Sequence, residues 1–84
     1  MLRVLFFGRF REELGCAELS LEFSSRYANL ESLLSALIAD QGGRWAEVLS
    51  QKNVICALNQ EVATENLTLS DGDEIAFFPP VTGG

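Results

Sequence analysis

The sequence predicts an α+β domain in which one mixed sheet is covered on one face by a single main helix. Apolar runs at Leu2–Phe7 and Glu74–Phe78 open and close the chain as strands, and one intervening segment repeats its apolar residues at helical spacing. A length of 84 residues, 48% of them apolar, allows one modest core and excludes disorder.

Val4, Leu5, Phe6 and Phe7 are consecutive and read as a buried strand; Phe10–Leu14 then gives a helical turn ended by Gly15. From Glu18 to Ser24 the pattern alternates, with Leu19, Leu21 and Phe23 facing in, and this strand should pair with the first. Asn29 is an N-cap candidate, and Glu31 falls in the first turn, where the helix dipole favours a carboxylate. Leu30, Leu33, Leu34, Leu37 and Ile38 make one apolar helix face, stopped by Gly42 and Gly43. Arg44–Leu49 can form a second short helix with Trp45 inward. Val54–Asn59 reads as the third strand, Asn59-Gln60 turns into a short strand around Val62, and Asp71-Gly72-Asp73 is a tight turn before the last strand.

If the last strand lies beside the first, Val4 and Phe6 point toward the helix with Ile75 and Phe77. Period-two geometry then sends Leu5, Phe7 and Phe78 to the opposite face, where an open sheet should carry polar groups. Large apolar residues grouped there imply a partner surface. The alternative is that the segment 41–53 folds over them.

The formal charge of −6, from 12 acidic and 6 basic residues, argues against nucleic acid and anionic membranes as partners. No stretch approaches the roughly 20 apolar residues of a membrane span. Met1-Leu2-Arg3 runs straight into a strand without signal-peptide architecture, so the cytoplasm is the expected compartment. With no histidine and only Cys16 and Cys56, neither a metal site nor a Ser-His or Cys-His scheme is expected. Cys56, inside an apolar run, reads as an inert buried thiol.

What remains is the terminus. Residues 1–78 form the domain and 79–84 an arm: Pro79 and Pro80 stiffen it, and Gly83-Gly84 end it with an unhindered carboxylate. Such a tip suits a carboxylate that an enzyme must grip and modify.

The opening Val4-Leu5-Phe6-Phe7-Gly8, the turn Arg11-Glu12-Glu13-Leu14-Gly15, Arg44-Trp45, Asn59-Gln60 and the ending Asp71–Gly84 resemble the small, sulfur-carrier subunits of molybdopterin synthase over essentially the whole chain. The resemblance implies a ubiquitin-like β-grasp fold and a subunit that is not catalytic alone. It implies that Gly84, with Gly83 before it, is adenylated by a ubiquitin-activator-like enzyme using ATP, with no cofactor bound to the chain itself. A sulfur donor protein would convert the adenylate to a thiocarboxylate. The arm, Pro79, Pro80, Val81 and Thr82, would then enter a large subunit, in a heterotetramer of two small and two large subunits. Sulfur would pass to cyclic pyranopterin monophosphate in molybdenum cofactor biosynthesis. The family's partner contacts map onto Phe7, Val62 and Phe78. Rival readings are a sulfur carrier for thiamin thiazole synthesis, a ubiquitin-like protein modifier, and a plain binding module with an inert tail.

Overall fold

The first and last strands lie side by side in the middle of the sheet. In the computed structural model, which describes residues 1–80, β1 (Leu2–Phe6) pairs in parallel with β5 (Glu74–Phe78) through Val4↔Ile75, Leu5↔Ala76 and Phe6↔Phe77. Outside β1 runs β2 (Glu18–Leu21), antiparallel; outside β5 run β3 (Ile55–Leu58) and β4 (Glu61–Ala63), giving the order β2-β1-β5-β3-β4. The hairpin turn between β3 and β4 holds Asn59 and Gln60 at φ of 50° and 72°, the left-handed pair that a two-residue hairpin needs.

Helix α1 (Arg9–Leu14) interrupts the β1–β2 connection and closes on Gly15 in the left-handed conformation. Helix α2 (Leu30–Gln41) begins where the Asn29 side chain accepts from the Ser32 amide at 2.8 Å. Its Leu30, Leu33, Ala36 and Leu37 are buried against Leu2, Val4, Phe6, Ile75 and Phe77, the inward residues of the central strands. Leu34 and Ile38 pack on the margin of that core. Gly42 caps α2, and α3 (Gly43–Leu49) follows directly.

The segment after α2 does not cover the outer face. Val48 and Leu49 belong to the helix-side core, and Trp45 sets its edge against buried Phe6, with centroids 5.2 Å apart and planes at 88°. The second strand ends earlier than its alternation implies, because β1 begins at Leu2, opposite Leu21, and offers no regular partner further on. Phe23 still packs on the core from a loop. A 3-10 turn at Ser25–Tyr27, capped by Ser24, was not expected; it buries Tyr27.

Candidate functional site

The candidate site is the outer face of the sheet at the end where β5 gives way to Pro79. Period-two alternation on paired strands divides the phenylalanines into two stacks back to back. Phe6 and Phe77 stack inside the core at 5.8 Å. Phe7 and Phe78 stack on the outer face at 4.8 Å with planes only 7° apart. Phe7 remains 39% exposed, and its amide donates to the Phe77 carbonyl at 3.1 Å, carrying the β1–β5 ladder one residue past the strand end.

Register extends this aromatic end into a broader surface. Val62 lies opposite Ala57, Ala57 opposite Ala76, and Ala76 opposite Leu5, so the four form one row on the outer face. Ile55 lies opposite Phe78, forming the next row with Phe7. Val62, at 66% exposure, is the most open large hydrophobic residue of the described chain. The two alanines between it and Leu5 give the surface a shallow centre. Phe7, Val62 and Phe78 thus share one continuous apolar face. Leu5 was legible as outward-facing; Ile55, Ala57 and Ala76 were missed, although Val54, Cys56 and Leu58 pointing to the core already leave Ile55 and Ala57 pointing out.

At its other end the same face is charged. Arg3 reaches Glu18 and Glu74, each at 3.2 Å, and the hydrogen bond and attraction from Glu18 hold the guanidinium above its ordinary value. The outer face therefore grades from an ion cluster to an aromatic pair along about one strand length, which gives any docking partner a direction as well as a place.

Cys56 lies on the inner face opposite Phe77, and burial pushes its thiol up to about 11, so it stays protonated and unreactive near neutrality. Cys16 is half-buried, its thiol directed to the Glu18 carbonyl at 3.5 Å. Among the described residues, no three Cys, Asp or Glu side chains are grouped to hold a metal ion, and no helix is long and apolar enough to cross a membrane. Pro79 and Pro80 are half-buried at the root of the arm. The expectations for Val81, Thr82, Gly83 and Gly84 lie outside the described residues.

A family model, the ThiS family, matches residues 4–84. The chain belongs to the ThiS family. Within it, the chain is 40% identical to the molybdopterin synthase sulfur carrier subunit of Escherichia coli K12, with all of both chains aligned. It is 42% identical to the subunit of the same name from Haemophilus influenzae, again over the whole of both. Among solved structures it resembles a chain in the complex of subunits 1 and 2 of the molybdopterin-converting factor from Helicobacter pylori, with a TM-score of 0.67 and 28% identity over 99% of this chain and 97% of that one. The ubiquitin-like β-grasp read from the sequence is the fold observed.

Proposed function

We infer that this chain is the sulfur carrier subunit of a molybdopterin synthase and acts in molybdenum cofactor biosynthesis. The observation that carries the reading is the end-to-end similarity to sulfur carrier subunits, which includes the Gly83-Gly84 ending. In this reading the Gly84 carboxylate attacks the α-phosphate of ATP on an activating enzyme, releasing pyrophosphate. Sulfide-level sulfur supplied by a donor protein then attacks the acyl carbon, forming the C–S bond as the bond to AMP breaks, and leaves a thiocarboxylate. Adenylation is needed because a carboxylate is a poor electrophile, and the product is an anionic sulfur nucleophile on a short tether. The large subunit supplies acid–base groups and holds the pyranopterin, since this chain has no histidine.

The apolar face formed by Phe7, Phe78 and Val62 is the surface offered to that large subunit, with Pro79, Pro80, Val81 and Thr82 leading the tip inward. Two carriers and two large subunits would make the assembly, and the cytoplasm would be its compartment. The test is the intact mass of the chain after incubation with the activating enzyme, ATP and a sulfur donor. One oxygen of the Gly84 carboxylate should be replaced by sulfur. An unchanged mass, or covalent ladders on other proteins in a denaturing gel, would overturn the reading, the ladders in favour of a protein modifier.

A further inference from the structure

We propose that Gly8 is a positioning residue whose bare Cα seats the ring of Pro79 and so sets the direction in which the arm leaves the domain. The proposal rests on the sulfur carrier reading, which makes the arm's direction matter. It begins from the register of the central strands. Phe6 lies opposite Phe77, and the Phe7 and Phe78 rings stack. One step further along the same parallel ladder, Gly8 comes beside Pro79.

Proline has no N–H with which to continue a ladder, so backbone hydrogen bonding cannot hold the chain there. Packing takes over. A Cβ on Gly8 would lie 3.2 Å from Pro79 Cγ, tighter than ordinary van der Waals contact, and 3.4 Å from Cδ. The atoms met belong to a closed ring fixed to the backbone, not to the free end of a flexible side chain. Relief therefore means moving Pro79 itself. Gly8 also has φ of 60° and ψ of −139°, a combination open to glycine and strained for other residues. Gly15, Gly42, Gly43 and Gly72 share a positive φ, yet an added Cβ at any of them meets nothing within 4 Å. Gly8 alone among these five combines the left-handed backbone with a close approach, and what approaches is the first residue of the arm.

Three consecutive contacts thus define the exit: the Phe7 amide on the Phe77 carbonyl, the Phe7 ring on the Phe78 ring, and Pro79 on Gly8. The first two belong to the domain and its apolar face. The third lies at Pro79, where the domain passes into the arm.

Gly8→Ala brings backbone strain as well as the contact, so a double-mutant cycle with Pro79→Ala separates them. Pro79→Ala removes Cγ and Cδ, the two atoms an added Cβ would meet, and leaves the strain at position 8 unchanged. The four chains are made as full-length thiocarboxylates by sulfide cleavage of an intein thioester and assayed for sulfur transfer in complex with the large subunit. Gly8→Ala should lower the turnover number about tenfold, with affinity for the large subunit within about twofold, because misplacing a reactant costs rate more than binding. In the Pro79→Ala background the same substitution should change turnover by less than about twofold. Thermal stability should fall equally in both backgrounds, since strain alone governs it. In NMR spectra of the free wild-type chain, Gly8 Hα should show cross-relaxation to the Pro79 ring protons.

Equal turnover losses in both backgrounds, or no cross-relaxation between Gly8 and Pro79, would overturn the seat and leave the sulfur carrier reading standing. Should Gly8→Ala fail to fold, Pro79→Ala alone decides: turnover equal to wild type at saturating large subunit overturns the proposal. A wild-type thiocarboxylate that passes no sulfur overturns the functional reading, and the role of the seat with it.

Discussion

Truncating Phe7 to alanine tests the apolar face proposed for docking. A phenylalanine buries about 150–250 Å², so the 39% of Phe7 that remains open corresponds to about 80 Å² for a partner to cover. At about 25 cal/mol per Å² this is ~2 kcal/mol, or roughly thirtyfold in Kd if all of it is realised on binding. Ordering costs at an interface take a share, which brings the expected loss to about ten- to thirtyfold. The fold also loses the covered part of the ring, about 120 Å² or ~3 kcal/mol by the same coefficient, together with its stack on Phe78, so unfolding of the free chain must show that Phe7→Ala is folded where binding is measured. Calorimetric titration of the large subunit into Phe7→Ala, alongside urea unfolding of the free chain, reads both quantities. Arg26→Ala serves as the control, since Arg26 pairs with Asp40 at the end of α2, away from the outer face. Unchanged affinity for Phe7→Ala with an intact fold would refute the assignment of this face. An equal loss in Arg26→Ala would refute its location.

Other outcomes rest on the same structure. Deleting Gly84, or adding one residue after it, should abolish thiocarboxylation by the activating enzyme while urea unfolding of the domain is unchanged; sulfur incorporation in either variant contradicts the terminal-carboxylate chemistry. The double change Pro79→Gly, Pro80→Gly should leave thiocarboxylation intact and lower synthase turnover, because a looser spacer presents the sulfur in productive geometry less often; wild-type turnover at saturating large subunit would reduce the prolines to strand terminators. Cys56 should resist iodoacetamide at neutral pH in the folded chain and react on unfolding. Its folded value of about 11 lies above the ordinary 9.0, so its contribution to stability is complete below pH 9.0 and is lost as pH rises through about 11, which urea midpoints across that window will show.

The parts of this fold that local chemistry dictates were legible from the chain. Leu30, Leu33 and Leu37 repeat at the helical period, and Asn29 offers the one side chain that can cap their helix, so α2 could be read almost to the residue. Phe7 and Phe78 stood out because a strand residue that does not face the helix must face away from it. What the sequence left hidden depends on which strands become neighbours. Ala57, Ala76 and Leu5 are far apart in sequence and form a row with Val62 only because β5 inserts between β1 and β3. The early end of β2 has the same origin, since Glu22 and Phe23 alternate correctly but lack a partner strand. The seat at Gly8 was out of reach for a further reason: a glycine shows no side chain from which to infer a contact, and the ring that touches it comes from the far end of the chain.

The position of β5 has a consequence for how this molecule folds. It lies between β1 and β3 in the centre of the sheet, although it follows both in the chain. Until Glu74–Phe78 is in place, β1 and β3 have a gap between them and Phe6 lacks the ring on which it stacks. The sheet can therefore close only when β5 inserts, and its closing contacts span most of the sequence, a topology associated with slow folding. A chain that stops before Glu74 lacks the middle strand of its sheet. The same strand that completes the fold delivers Pro79 to its surface, so the approach of Pro79 to Gly8 exists only in molecules whose sheet has closed.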